Sequence, residues 1–369
     1  MSHHATTEGT TRYRDRFKNT LASGHFREAQ GLWMSSIGFG SYLGRYDEET
    51  DIKYRDALIR AVDLGCNKVD TAINYRFQRS ERSIGEALEA LYKEGKASRD
   101  EIIVATKGGY IPFDGAPPKD IRTYFAETFV KPGIATFEDI VSGSHCMTPR
   151  YIENQLECSL KNLRLQCIDI YYLHNPEEQL QEVTRDEFNR RISAAFELLE
   201  KKVSDEKIRM YGTATWNGYR QEPDARDSLS LEELVNIAKD VAGEGHHFKF
   251  IQLPFNLAMP AAITLRNQSV EGEMTTVLEA AWRLGVTVIA SSSLLQSRLT
   301  RNLPEFIGEH LKGLKTDAQR ALQFVRSTPG VGAALVGMSN VNHVEENMKV
   351  AEVLPTSMDD FVKLFAHEE

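Results

Sequence analysis

The chain has 369 residues, 41% hydrophobic and 26% charged, a globular composition with room for one large domain or two small ones. Its net charge of -9 argues against nucleic acid or an anionic membrane surface as the main partner. No apolar stretch approaches the ~20 residues of a membrane span. The opening MSHHATTEGTTRYRDR lacks the apolar core of a secretory signal, so a cytoplasmic protein is expected. Cys66, Cys146, Cys158 and Cys167 show neither a CxxC pair nor zinc spacing with histidines; they read as reduced thiols, and no metal is expected.

After a polar arm over residues 1–30, short apolar runs alternate with helical patterns. MSSIGFGSYLG (34–44) is strand-like and ends in glycines; Leu58, Ala61 and Val62 then give a helical stripe. KVDTA (68–72) predicts a strand, and Ile84, Ala87, Leu88 and Leu91 a helix. EIIVATK (101–107) precedes the stripe Ile152, Leu156, Ser159 and Leu163, and CIDIYYLH (167–174) precedes Phe188, Ile192, Ala195 and Leu199. IRMYGTAT (208–215) leads to Leu231, Leu234, Val235 and Ala238, and FKFIQL (248–253) to Val277, Ala280, Ala281 and Leu284. VTVIASSS (286–293) leads to Ala318, Ala321, Leu322 and Val325; GAALVGMS (332–339) leads to Val344, Asn347, Met348 and Ala351.

Strands that are apolar throughout suit a parallel sheet buried on both faces. Eight strand–helix units predict an α/β (β/α)8 TIM barrel over residues 31–369. The competitor, a doubly wound open sheet, normally carries a glycine-rich phosphate loop after an early strand, and there is no GxGxxG here. One connection is anomalous: after strand 3 an insertion of about forty residues, 109–148, leaves the end of the barrel where active sites are built. It reads equally as a substrate lid or as an elaborated loop without chemistry.

Residues just past each barrel strand converge on one mouth. Here these are Asp70 and Tyr75, Lys107, His174 with Asn175, Thr213 to Trp216, Gln252, Ser291 to Ser293, and Gly337 to Ser339. Singly each has a bland reading: an N-capping turn, an exposed charge, a hydrogen-bonded structural histidine. Together an acid, a phenol, a lysine and a histidine suggest proton transfer. A Lys⁺ beside a tyrosine favours phenolate and lowers its pKa from about 10. Asp70 would keep the lysine charged, and His174 could donate to a substrate oxygen. Such a phenol suits carbonyl reduction, with Tyr75 moving the proton and a cofactor supplying the hydride, since no side chain can.

VDTAINYRFQRSERSIGEAL, VATK, IDIYYLHNP and HVEEN, in this order from about 34 to 351, resemble the aldo-keto reductases. The resemblance implies a (β/α)8 barrel that binds NADP(H), less often NAD(H), without a Rossmann domain. It implies a catalytic tetrad of Asp70, Tyr75, Lys107 and His174, with Tyr75 as general acid. Cofactor contacts carried over are Ser41, Thr215, Gln252, Ser291, Ser292, Leu294, Gly337, Ser339, His343 and Asn347; Asn347 matches an adenine contact. Several positions depart from the family pattern. Ala214 and Thr215 stand where a Ser-Asn or Ser-Arg pair usually holds the nicotinamide amide, and Ser291 replaces a stacking aromatic. Val336, Gly337 and Met338 replace Pro-Lys-Ser, and His343 an arginine on the 2′-phosphate. Tyr42 matches a substrate-pocket aromatic; Asn175 and Trp216 are expected beside it. For Trp216 the alternative is packing beneath its loop.

The expected function is oxidation or reduction of an aldehyde, ketone or sugar, with a small-molecule carbonyl or alcohol as the sole partner class. Two alternatives differ in kind: a Schiff-base lyase using Lys107, and a nucleotide-sensing subunit of the sort that some family members form with channels. The tract 254–275 reads as a second covering loop at the site.

Overall fold

The computed structural model describes residues 2–365. Eight parallel strands close into a barrel in the order β7-β8-β1-β2-β3-β4-β5-β6. They are β1 Ile37–Gly40, β2 Lys68–Asp70, β3 Ile103–Gly108, β4 Ile168–His174, β5 Ile208–Ala214, β6 Phe248–Pro254, β7 Thr287–Ser291 and β8 Val331–Gly337. The helices between them are α1 Glu48–Asp63, α2 Arg79–Lys93, α3 Pro149–Leu163, α4 Arg185–Ser204, α5 Leu231–Ala242, α6 Val277–Arg283, α7 Asp317–Ser327 and α8 Val341–Met348. Each expected strand overlaps its element, and the helical stripes lie in theirs, except that Leu284 and Ala351 fall just past the ends of α6 and α8. The last strand pairs with the first, Ala334 opposite Ile37, which closes the barrel.

Two cores explain why the strands read as apolar throughout. Ile103, Ala105, Ile170, Tyr172, Phe250, Ile289, Ala333 and Leu335 point inward and fill the barrel. Their neighbours Val104, Tyr171, Leu173, Ile251, Val288 and Ala334 point outward against the helices. With both faces dry, alternation has no polar partner.

The segment read as a polar arm is folded. Thr6 caps a helix, Thr7–Arg16, through its hydroxyl and the Gly9 N–H at 2.9 Å. A hairpin, Phe26–Ala29 with Leu32–Ser35, turns through Gln30 and Gly31, both at positive φ. Ala5, Ala29, Leu32 and Met34 join the inner core, so this segment plugs the N-terminal end of the barrel. Arg12 and Arg16 on the helix both reach the buried carboxylate of Glu101.

The insertion is also structured. It holds a short helix, Ile121–Phe125, a wider turn, Ala126–Val130, and a 3-10 turn, Phe137–Asp139. Phe125 and Phe129 are buried, and Phe129 packs on Tyr151 of α3 with ring centroids 5.3 Å apart. The tract 254–275 departs from expectation: none of residues 255–275 lines the mouth. It forms a small hairpin, Gln268–Val270 with Glu273–Thr275, fastened to α5 where Leu231 N–H donates to Gln268 Oε1 at 2.9 Å. Its other polar side chains tie loops: Asn256 donates to Ser292 O at 2.9 Å, and Asn267 to Tyr219 O at 2.9 Å and Gln221 O at 2.7 Å. No helix among the described residues is long and apolar enough to cross a membrane.

Candidate active site

A cleft of about 510 Å³ opens at the C-terminal end of the strands. Its walls include Ser41, Tyr42, Asp70, Tyr75, His174, Asn175, Thr215, Trp216, Gln252, Ser291, Ser292, Leu294 and Gly337. Lys107 lies just behind them, 1% exposed, between Asp70 and Tyr75.

The turn after β2 sets Tyr75. Arg76, Phe77 and Gln78 follow it in succession at positive φ (47°, 59°, 69°), a conformation costing roughly 1–2 kcal/mol per residue that needs outside support. Arg76 supplies it by donating to Arg45 O at 2.7 Å and pairing with Asp51. The SERSIG stretch behind the turn is scaffolding. Ser80 donates to Ser41 O at 2.7 Å, while the buried Glu81 accepts from Thr106 at 2.6 Å and Asn162 at 2.9 Å. A Cβ on Gly85 would meet Asn162 O at 2.5 Å, so α2 and α3 touch there through glycine alone.

Lys107 donates to Asp70 Oδ1 and to Thr71 O at 2.8 Å, and its ammonium stands 5.0 Å from the centroid of the Tyr75 ring. Burial works against its ammonium, but Asp70 and Tyr75 outweigh that and raise its pKa above the ordinary lysine value. Gln252 donates to the other Asp70 oxygen at 2.8 Å. Its amide N–H therefore serves the carboxylate.

The Tyr75 phenol departs from expectation. Burial raises its pKa, and the pull of Lys107 only partly offsets this. The lowering expected from the lysine alone omitted desolvation, which sequence does not reveal. His174 is held neutral: burial first, then Lys107 and His145, push its pKa well below the ordinary histidine value. The Tyr75 and His174 rings meet edge to face at 5.8 Å, and Tyr42 meets Tyr75 at 4.9 Å.

Several lining residues were not anticipated. Tyr110 comes from the insertion, packs at 5.1 Å from the His174 ring, and accepts a hydrogen bond from Asn175 at 2.9 Å. Asn74, Leu43, Gln296, Ser297 and Leu335 also line the cleft. Tyr110 stands three residues past Lys107, so strand-end convergence could have flagged it. Glu177, buried behind Asn175, accepts backbone N–H groups of Trp216 (2.7 Å), Asn217 (3.0 Å) and Gly218 (3.2 Å), and so fixes the Trp216 loop. Burial lifts its pKa to about 7. Trp216 is 45% exposed and faces the cleft, which settles its location against packing beneath the loop.

Ser339, His343 and Asn347 are not among the cleft-lining residues. Ser339 hydrogen-bonds the Tyr54 phenol, His343 is exposed on α8, and Asn347 is buried. The cleft fits the nicotinamide end of a dinucleotide. It is of cofactor size, its far side is a run of hydroxyls from Ser291 to Ser293, and the Ser293 hydroxyl is buried without a partner among the described residues. A Cβ on Gly337 would meet nothing within 4 Å, so the groove stays open there. No cluster of metal-ligating side chains occurs among the described residues.

A family model for the Aldo/keto reductase family matches residues 36–369. Over 362 residues the chain is 24% identical to a putative voltage-gated potassium channel subunit beta from Schizosaccharomyces pombe, covering 92% of this chain and 90% of that one. It is 30% identical over 141 residues to the aldo-keto reductase yakc [NADP(+)] of the same organism, a match spanning 38% of this chain and 33% of the relative. An aldo/keto reductase from Klebsiella pneumoniae, solved with NADP and acetate, shares the fold with a TM-score of 0.62 at 20% identity, over 94% of this chain and 95% of that one. With the closed barrel and a match across most of its length, the chain belongs to the aldo/keto reductase family.

Proposed function

We propose that this protein is a nicotinamide-dependent oxidoreductase acting on an aldehyde, ketone or sugar, with Tyr75 as general acid and base. The observation that carries this is the placing of Lys107, paired with Asp70, against the Tyr75 ring at the cleft wall. Because an ammonium cannot accept, the phenol's own proton is free to be given to a carbonyl oxygen in the cleft. A reduced nicotinamide, when bound, supplies the hydride to the carbonyl carbon. Tyr75 delivers the proton, and the phenolate left behind sits against Lys107, whose charge Asp70 and Gln252 hold in place. In the reverse direction the phenolate takes the alcohol proton. Neutral His174 orients the substrate oxygen as a hydrogen-bond donor. Tyr42, Tyr110, Asn175 and Trp216 wall the substrate side.

NADP(H) is favoured over NAD(H) by the NADP(+) in the name of one relative and by the NADP-bound structural neighbour. His343 offers little to a 2′-phosphate, but Arg298 and Arg301 are exposed on the loop after β7, whose Gln296 and Ser297 line the cleft. Those arginines are the assigned phosphate contacts. Free thiols at all four cysteines suit the cytoplasm.

The test is to titrate NADPH and NADH separately, following reduced-cofactor fluorescence, and then to assay a carbonyl panel. Saturable binding, tighter for NADPH, is expected. In an Arg298→Ala/Arg301→Ala variant that preference should shrink by about tenfold or more. No binding of either cofactor at sub-millimolar concentration would overturn the proposal. The Schiff-base reading finds no support, since an imine-forming lysine needs a depressed pKa, whereas that of Lys107 is raised and its ammonium is held by Asp70 and Thr71 O. A regulatory, cofactor-sensing subunit is the second reading, favoured by the full-length similarity to a protein named as a channel subunit beta. Tight cofactor binding without turnover on the panel would select it.

A further inference from the structure

We propose that His145, supplied by the insertion, is a positioning residue for His174, acting as a neutral imidazole whose Nε2–H donates to the His174 carbonyl. The tautomer follows from its neighbours. Arg191 on α4 donates to Gln179 Oε1 at 2.5 Å. A guanidinium cannot accept, so the oxygen of the Gln179 amide faces Arg191 and its nitrogen faces His145. Gln179 Nε2 lies 2.8 Å from His145 Nδ1, which must therefore be the bare nitrogen. The ring proton is left on Nε2, 2.7 Å from His174 O, an atom that can only accept. Both ends of the chain of bonds demand the same tautomer. Protonating His145 would set N–H against N–H at Gln179. Burial pushes its pKa down to about 4, in agreement.

The support matters because His174 lacks one of its own. Its Nδ1 is buried with no partner among the described residues, so no ring hydrogen bond from Nδ1 fixes the imidazole. What remains is packing between Tyr75 and Tyr110 and the anchoring of the backbone. That backbone is about to turn, since Asn175 sits at φ 46°. His145 clamps the carbonyl at the turn, and its ring lies edge-on to Tyr110 at 5.2 Å. Gly109 leaves room for the clamp: a Cβ there would fall 2.8 Å from His145 Nε2 and 2.9 Å from His174 O. The insertion thus reaches the site from below as well as along its wall.

The turnover arm of the test rests on the oxidoreductase reading; the spectroscopic arm does not. Nitrogen-15 spectra of the histidine rings in the full chain should show His145 protonated at Nε2 and bare at Nδ1. In His145→Leu the His174 resonances should shift, and kcat should fall about tenfold with KM and cofactor affinity little changed. His145→Gln, which can still donate to the carbonyl and accept from Gln179, should recover most of kcat. If His145→Leu does not fold, Gln179→Leu serves instead: the His174 carbonyl still demands a proton on Nε2, so the tautomer should persist there and kcat should change little. A proton found on Nδ1 in the parent or in Gln179→Leu, His174 resonances unmoved in His145→Leu, or kcat unchanged there would each overturn the proposal. Spectra as expected with no carbonyl turnover would count against the oxidoreductase reading while leaving the clamp in place.

Discussion

Lys107 and Asp70 form a pair whose side chains are only 1% and 4% exposed. Breaking such a pair strands a charge, which costs about 3–5 kcal/mol, whereas removing both members can be nearly neutral. Lys107→Met should therefore lose activity and destabilise the fold by about that amount. Adding Asp70→Asn should restore much of the stability and none of the activity, as urea unfolding and a turnover assay would show. Tyr75 gives a second prediction with a definite sign. Its pKa is raised by burial, so the acid form prevails at neutral pH. Reduction should then hold steady through neutrality and decline only in alkali. Oxidation, which needs phenolate, should climb with pH over the same range. Tyr75→Phe should lower kcat by about 10²- to 10⁴-fold with cofactor affinity intact. Equal pH profiles in the two directions would count against Tyr75 as the proton carrier.

Among the elements, the N-terminal helix and hairpin and the insertion carry the differences from a bare barrel. The N-terminal helix holds Glu101, whose side chain is wholly buried, through two arginines that are themselves half exposed. That exposure discounts the pairing, yet losing both arginines leaves the buried carboxylate with the Ser98 N–H at 2.9 Å and without a charged partner among the described residues. Arg12→Ala/Arg16→Ala should cost about 2 kcal/mol in urea unfolding and leave kcat unchanged, because this end of the barrel is opposite the mouth. A fall in kcat without loss of stability would contradict the assignment of this segment as a plug. The insertion was open between lid and inert loop on sequence alone. Its Tyr110 at the cleft wall and His145 beneath His174 both arise from the antiparallel contact that brings 110 and 145 together, a pairing with no local signature.

Over the whole molecule, buried neutral histidines tie stability to pH. His25 joins the N-terminal segment to the barrel, with Nε2 3.0 Å from Gly65 O, and burial lowers its pKa to about 3. The folded state refuses a proton that the unfolded chain accepts below about 6.5. Its contribution is therefore complete above that pH and is lost as pH falls towards 3, by about 1.4 kcal/mol per unit. His145 acts with the same sign; Glu177, with its pKa raised to about 7, acts with the opposite sign between about 4.5 and 7. Comparing His25→Gln with the parent cancels the others: the variant's Tm should fall less steeply from pH 6.5 to 4, and parallel curves would refute the linkage. By itself the sequence determined the eight strand–helix units, because period and apolar runs are local. It also determined that Asp70, Tyr75, Lys107 and His174 share a mouth, because strand ends converge in any such barrel. Only the tertiary structure decided the protonation of Tyr75, since desolvation depends on what surrounds it. Nor could sequence reveal that Gln252 serves Asp70, that 254–275 stays out of the cleft, or that His145 lies beneath His174. Those outcomes depend on contacts between residues far apart in the chain, and such contacts leave no mark in any window of sequence.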